Sequence, residues 1–253
     1  MTVSERSLVV ADLRVEFDGF VAVDGVSFDA HPGEVRFLIG PNGAGKTTCI
    51  DAITGLSKGT GSAKLGDQEL LGKPVHKIVP LGVGRTFQTA SVFEELTVLQ
   101  NLDIAAGLHR SAWSLFRVRR DVDPSIERAL EETGLSGERD KPAGILSHGQ
   151  KQWLEIAMLL VQDAKVLLLD EPVAGMSHDE RTATGELLGR LAKNRAVLVV
   201  EHDMDFMRRF ASRVTVLHQG RVLSEGSVSE VQADPKVQAV YLGTADAIEK
   251  GAK

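Results

Sequence analysis

The chain has 253 residues, ordinary fractions of apolar and charged residues, and a formal net charge of -6, which fits one large globular domain or two small ones. The acidic balance argues against a general nucleic-acid-binding protein, because phosphate backbones recruit basic surfaces. No apolar run is as long as a membrane span and the first ten residues are too polar for a secretory signal, so any membrane part is expected on another chain.

The first third of the chain is rich in strand patterns. Apolar and polar residues alternate in SLVVADLRVEF and VAVDGVSFDA, and GEVRFLIG is a candidate buried strand that runs into a glycine-rich turn. KTTCIDAITGL then has the pattern of a helix closed by Gly55. Its Cys49 is the single cysteine, which excludes an internal disulfide and is expected to pack as a small residue. Residues 58–68 are turn-rich and are predicted to form a surface loop.

The middle of the chain changes to helical periodicity, in ELTVLQNLDIAAGL, DPSIERALEETGL and GQKQWLEIAMLLV. From residue 164 strands and helices alternate again, in AKVLLLDE, RTATGELLGRLAK, RAVLVVEHD and RVTVLHQGRVLSEG. Such alternation predicts an α/β fold with a largely parallel sheet. We therefore expect one domain over 1–253, in which 1–88 and 164–243 form the core and 89–163 an inserted helical subdomain.

GPNGAGKT, at residues 40–47, matches the phosphate-binding loop G-x-x-x-x-G-K-[ST] in full. A strand is predicted before it and a helix after it, as that loop requires. Its backbone N–H groups converge on phosphate oxygens, and the helix N-terminus adds a favourable dipole. Lys46 is expected to reach the β- and γ-phosphates and Thr47 to bind Mg²⁺. The residues expected to bind the nucleotide here are Gly40, Pro41, Asn42, Gly43, Ala44, Gly45, Lys46, Thr47 and Thr48.

Polar residues follow two later strands at the positions where those strands end. VLLLDEP places Asp170 and Glu171 after a buried strand, and VLVVEHD places His202 after the next one. Ligands of open α/β sheets sit at the carboxyl ends of the strands. Asp170 suits the Mg²⁺ shell, and Glu171 suits a general base or water-positioning group beside the γ-phosphate. His202 is placed to reach the γ-phosphate or the attacking water.

LSHGQ, at residues 146–150, lies just upstream of the Asp170 strand. Together with the phosphate loop, RTFQTA and His202, it resembles the ATP-binding cassette (ABC) ATPases from end to end. The resemblance implies their fold: a P-loop core of RecA type, an antiparallel β subdomain and an inserted helical subdomain. It also implies ATP and Mg²⁺ as cofactors, and a second cassette that closes head to tail over two ATP molecules.

The resemblance carries over to single residues at matching positions. Gln88 resembles the Q-loop glutamine, which touches Mg²⁺ or the water and senses the γ-phosphate. Glu171 resembles the catalytic glutamate and His202 the switch histidine. Phe17 sits where the family has an aromatic residue that stacks on adenine, and Phe20 is a weaker candidate. AGMSHDE lies where the family has its D-loop but lacks the usual SALD form.

The signature residues Ser147, His148, Gly149 and Gln150 head a predicted helix. The resemblance implies that this helix terminus caps the ATP held by a second cassette, so its donors are expected to be kept open for a phosphate. The alternative is that Ser147 and Gln150 simply cap each other. We also hypothesise that a protonated His148 strengthens the ATP-closed dimer at mildly acidic pH, the alternative being a side chain without an energetic role.

Within the ABC ATPases, the sequence resembles the importer branch of branched-chain amino acids and urea, and most of all the urea-importer ATPases. LSHGQKQWLEIAMLL, DEPVAGMS and VQAVYLG carry that resemblance. It implies two membrane-spanning permeases, a separate substrate-binding protein and a place on the cytoplasmic face of the membrane. Import of branched-chain amino acids or short amides is the alternative, and a soluble non-transport ATPase is a further one. The cargo is expected from resemblance alone, because this kind of subunit does not hold it.

Overall fold

The computed structural model describes residues 6–87, 91–107 and 123–241. Its strands are β1 (Leu8–Phe17), β2 (Phe20–Ala30), β3 (Val35–Ile39), β4 (Thr60–Leu65), β5 (Gln68–Glu69), β6 (Val83–Arg85), β7 (Val166–Asp170), β8 (Ala196–Val200), β9 (Arg213–His218) and β10 (Arg221–Gly226). Its α-helices are α1 (Lys46–Ile53), α2 (Val75–Ile78), α3 (Val98–Ala106), α4 (Pro124–Thr133), α5 (His148–Val161), α6 (His178–Ala192), α7 (Met204–Phe210) and α8 (Val228–Ala233). Across the described ranges, none of these helices combines the length and the apolar character that a membrane span needs.

The strands form two sheets of different kinds. A six-stranded sheet has the order β10-β9-β3-β8-β7-β6, in which β10 is antiparallel and the other strands run parallel. A four-stranded antiparallel sheet has the order β2-β1-β4-β5. The α/β class with a largely parallel sheet and a separate antiparallel sheet is thus confirmed. Between β6 and β7 lie α3, α4 and α5, which we propose to be the inserted helical subdomain.

Residues 58–68 are not the surface loop that the sequence predicts. Strand β4 pairs with β1 on one side and with β5 on the other, and it buries Ala63 and Leu65 against the core. Thr60, Gly61 and Lys64 occupy exposed positions of the strand, which is why the sequence suggests a loop there. Gly61 has φ +98° and lies against the backbone of β1, so a side chain there would meet the carbonyl of Asp12.

Strands β3, β7 and β8 are buried at every position, because both faces of the parallel sheet are covered. One face packs against α3 to α7, and the other packs against α1 and the antiparallel sheet. Since these three strands are parallel neighbours, their carboxyl ends meet at one edge. The phosphate loop, Glu171 and His202 follow those three ends and are brought to the same edge.

The joint between the two sheets contains a buried arginine. Arg36, on β3, has a side chain that is 0% exposed. Its guanidinium donates to Asp29 Oδ1 of β2 at 2.8 Å and to Thr215 Oγ1 of β9 at 2.9 Å. Glu225 of β10 lies 3.4 Å away. Arg36 therefore ties the antiparallel sheet to the strand that leads into the phosphate loop.

Cys49 is fully buried in α1, as its expected packing role requires, and burial raises the pKa of its thiol to about 12. Only the thiolate reacts readily with alkylating agents. We therefore expect iodoacetamide at pH 8 to leave the native chain unmodified with or without ATP, and to modify it fully in guanidinium chloride. Mass spectrometry reports the adduct, and glutathione under the same conditions is the reactive control. Rapid alkylation of the native chain would show that Cys49 is not part of the packed core.

Candidate active site

The phosphate loop connects β3 to α1 in the conformation that its glycines permit. Gly40, Gly43 and Gly45 have φ of +152°, +78° and +99°. A Cβ on Gly45 would lie 2.7 Å from the carbonyl oxygen of Ala22, so the loop packs directly on β2. Helix α1 begins at Lys46 with no side-chain cap. Its first N–H groups are therefore available to an anion, as the sequence predicts.

Lys46 is held by the loop that it would serve. Its Nζ donates to the carbonyl oxygens of Gly40 at 2.7 Å and Pro41 at 3.1 Å. Burial lowers the pKa of Lys46, and the nearby carboxylates of Glu171 and Asp170 act in the opposite direction. The ammonium group thus lies between the loop and the acids at the sheet edge, where a bound phosphate would replace its carbonyl partners.

Asp170 has the surroundings of a metal ligand. Its side chain is buried, and Oδ1 has no hydrogen-bond partner among the described residues. Burial raises the pKa of Asp170, while the guanidinium of Arg85, 3.6 Å from Oδ2, opposes that shift. Thr47 is exposed on the first turn of α1. An unpartnered carboxylate oxygen and a hydroxyl are the hard oxygen donors that Mg²⁺ prefers, so these residues fit that ion.

Glu171 and His202 lie together, as the sequence predicts. Glu171 has φ +51°, a left-handed conformation that is rare for a residue with a side chain and is often found at functional sites. Its N–H donates to the carbonyl of Val200 at 2.9 Å, which fixes the turn on β8. His202 Nδ1 lies 3.3 Å from Glu171 Oε1. The two side chains can therefore act on one water molecule or one phosphate oxygen.

Glu201 supports this pair and is missed by the sequence analysis. Its carboxylate accepts hydrogen bonds from the backbone N–H groups of Val173, His202 and Asp203 at 3.4, 3.0 and 3.2 Å. Burial raises the pKa of Glu201, and these donors oppose the shift. Glu201 therefore connects the turn that carries Glu171 to the loop that carries His202. Its place directly before His202, at the end of a buried strand, is a signal that could have identified it.

Arg85 is a second residue that the sequence analysis misses. It ends β6, and its guanidinium donates to Asp51 Oδ1 at 2.5 Å and to Thr54 Oγ1 at 3.1 Å, both on or next to α1. It also lies over the Phe87 ring, 5.0 Å from the centroid. Arg85 therefore joins the P-loop helix to the Asp170 strand and to the start of the segment that holds Gln88. Gln88 itself lies outside the described residues.

The signature helix α5 is capped within the chain, which corrects the expectation of an open terminus. Ser147 Oγ accepts from the N–H of Gln150 at 3.2 Å, and Gln150 Oε1 accepts from the N–H of Ser147 at 3.0 Å. This is the capping box that the sequence analysis kept as the alternative. The predicted role of Ser147 and Gly149 toward a second cassette stays a prediction.

The remaining predicted side chains are exposed. His148 is exposed, and its ring lies beside Gly175, in the segment that follows Glu171. A Cβ added to Gly175 would be 3.6 Å from the ring carbon Cδ2. Phe17 and Phe20 pair across the turn from β1 to β2 and are 48% and 68% exposed. The backbone of Ala22, two residues after Phe20, packs on Gly45 of the phosphate loop. Stacking on adenine and the proposed charge effect of His148 stay predictions.

Comparisons with known proteins agree with this geometry. The sequence pattern described as "ABC transporter" matches residues 23–174, and the pattern described as "Branched-chain amino acid ATP-binding cassette transporter" matches residues 221–247. The high-affinity branched-chain amino acid transport ATP-binding protein LivG of Escherichia coli (strain K12) is 37% identical over 96% of this chain and 100% of its own length. The corresponding protein BraF of Pseudomonas aeruginosa is 36% identical over the same shares.

Two solved structures have the same fold. A nucleotide-free ATP-binding cassette from an ABC transporter is 30% identical with a TM-score of 0.80, covering 92% of this chain and 98% of its own. The ADP conformation of an ATP-binding cassette of an ABC transporter is 30% identical with a TM-score of 0.81, covering 93% and 98%. The phosphate loop, the Glu171–His202 pair and these full-length matches lead to one conclusion: the chain belongs to the ABC transporter family, as an ATP-binding and ATP-hydrolysing subunit.

Proposed function

We propose that this chain is the ATPase subunit of an importer for branched-chain amino acids. The observation that carries the proposal is the match to LivG over 96% of this chain and all of LivG. The branched-chain amino acid pattern at residues 221–247 also supports it. Urea, the cargo expected first from the sequence, has no support among these relatives. The alternative given beside it, branched-chain amino acids, is the better supported cargo.

The residues at the sheet edge divide the work of hydrolysis. The phosphate loop and Lys46 bind the triphosphate, and bound Mg²⁺, held by Thr47 and Asp170, would neutralise charge that develops on the phosphate oxygens. Glu171 orients the attacking water and accepts its proton, and His202, 3.3 Å from Oε1, steadies that carboxylate and the γ-phosphate. The signature of a second cassette subunit, not the one in the same chain, closes the site.

The partner on the membrane side has a candidate docking surface. A groove of about 250 Å³ lies between α2, β6 and α5, next to Phe87. It is apolar and has exposed Leu56, Val75 and Phe87 at its rim. Buried Glu155 lines it, with Oε2 unpartnered among the described residues. We propose that a helix of one permease lies here, with apolar side chains in the groove and a hydrogen-bond donor toward Glu155. The chain would then work at the cytoplasmic face of the membrane.

Without that partner, Glu155 is expected to make stability depend on pH. Burial raises the pKa of Glu155 to about 7, from 4.5. Its stabilising contribution is therefore complete below about pH 4.5 and is lost as the pH rises to about 7, because the folded chain must then bury a charge. We expect Glu155→Gln to raise the free energy of unfolding at pH 8 and to change it little at pH 5. Urea titrations measure this; equal effects at both pH values would contradict it.

Uptake assays in the organism that encodes the chain test the cargo. Deleting the gene should abolish high-affinity uptake of labelled leucine and leave urea uptake unchanged. The wild-type gene should restore leucine uptake, and so should Glu186→Gln, a control on the exposed face of α6. Glu171→Gln should not restore it. Loss of urea uptake alone would make urea the cargo, and no loss of either uptake would contradict both cargoes.

A further inference from the structure

Glu180 places a carboxylate on the terminus of the signature helix. Glu180 belongs to the first turn of α6, the helix that comes next in the chain after Glu171. Ser147 Oγ donates to Glu180 Oε1 at 2.7 Å. A methyl group on Gly149 would come within 2.8 Å of the same oxygen. The carboxylate therefore occupies the space directly over the first turn of α5.

The negative charge of Glu180 is stabilised there by neutral hydrogen-bond donors. The Ser177 N–H and Oγ each donate to Oε2 at 2.9 Å, in the capping box of α6. The backbone N–H of Ser177, then the Ser147 hydroxyl, the Ser177 hydroxyl and the Gly149 N–H, lower the pKa of Glu180. None of these largest contributions comes from a basic side chain. Glu180 is thus an anion bound by the same kind of donors that a phosphate would use.

We propose that Glu180 is an internal competitor for the ATP of the second cassette: it occupies the Ser147–Gly149 anion site in the free subunit and must leave it when the dimer closes. Ser147 has one hydroxyl proton, and here that proton goes to Glu180. A γ-phosphate can take it only if the carboxylate moves away, and two like charges at this distance repel each other. The inference rests on the composite dimer of the proposed function. Glu180 would then set the ATP concentration at which two cassettes close.

ATP-dependent dimerisation tests this directly. The Glu171→Gln variant is the background, because it is expected to bind ATP without hydrolysing it. It is compared with the double variant that also carries Glu180→Gln. Glutamine can still complete the α6 capping box but has no charge. Asp179→Asn in the same background is the matched control, because Asp179 is the exposed acid next to Glu180. Sedimentation velocity gives the dimer fraction across an ATP–Mg²⁺ titration, and urea unfolding checks that all three proteins are equally folded.

Glu180→Gln is expected to lower the ATP concentration for half-maximal dimer by about five-fold or more, the factor that roughly 1 kcal/mol of relieved repulsion gives. The gain should shrink at high salt, and Asp179→Asn should change little. An unchanged or higher ATP requirement in Glu180→Gln, while the other two proteins dimerise, would overturn the inference and leave the proposed function intact. If none of the proteins dimerises at any ATP concentration, a composite dimer of two copies of this chain is refuted, and the inference with it.

Discussion

Replacing Glu171 by glutamine is expected to lower the rate of ATP hydrolysis by about 10²–10⁴-fold, the usual contribution of a general base. ATP binding should be retained, because the phosphate loop supplies ground-state affinity and Glu171 acts on the water in the transition state. Glutamine has the size of glutamate but accepts no proton, so the turn at φ +51° should keep its shape. Phosphate release and equilibrium binding of a fluorescent ATP analogue measure the two effects separately.

Two other substitutions make this result specific. Lys46→Ala should weaken ATP binding itself, because it removes the ammonium that bridges the loop carbonyls at 2.7 and 3.1 Å. Glu186→Gln, on the exposed face of α6, should change neither quantity. Turnover comparable to wild type in Glu171→Gln would mean that another carboxylate activates the water. Glu201 would then be the next candidate, since it lies 3.9 Å from His202 Nδ1.

The second large effect is expected on stability. Arg36→Ala should reduce the free energy of unfolding by about 3 kcal/mol or more, the lower end of the range for removing one partner of a buried ion pair. The lower end applies because Asp29 and Glu225 are 37% and 26% exposed and water can solvate them. The substitution also leaves Thr215 without its partner at 2.9 Å. Guanidinium chloride titrations followed by circular dichroism measure the change.

Arg14→Ala is the matched control for Arg36. Arg14 also contacts two carboxylates, Asp24 at 2.6 Å and Glu16 at 3.0 Å, but its side chain is 43% exposed. Water screens such a surface pair, so its loss should have little effect on stability. Equal effects of the two substitutions would show that burial of Arg36 does not matter, and that the joint between the sheets is held by apolar packing alone.

The residues that could be predicted from the sequence are those whose role is set by local geometry. The phosphate loop follows from its spacing between a strand and a helix, and Asp170, Glu171 and His202 follow from their positions at the ends of buried strands. Parallel pairing then forces those ends to one edge. Nothing beyond strand order is needed to bring them together.

The residues that could not be predicted act through contacts between distant parts of the chain. Glu180 reads as the first turn of an exposed helix, and only packing brings it within 2.7 Å of Ser147, 33 residues away. Arg36 interrupts an apolar strand, and its partner Thr215 is 179 residues further along the chain. Strand β4 exists because β1 offers it an edge, which outweighs the turn propensity of its glycines. Such contacts leave no periodic pattern in the sequence.

The central claim is that the chain gives its phosphate loop to one ATP and its signature to another. Mixing two inactive variants tests it most directly. Glu171→Gln removes the base, and Ser147→Arg blocks the signature. Ser227→Arg is the control, because it removes an N-cap serine of the same kind from α8, away from the signature. We expect each of the first two variants to be nearly inactive in ATP hydrolysis at concentrations where wild type is active, and their mixture to regain activity. In a mixed pair, the intact phosphate loop and base of one chain meet the intact signature of the other. The claim would be contradicted if Ser147→Arg alone were as active as Ser227→Arg. It would also be contradicted if the mixture were no more active than the sum of the two variants measured separately.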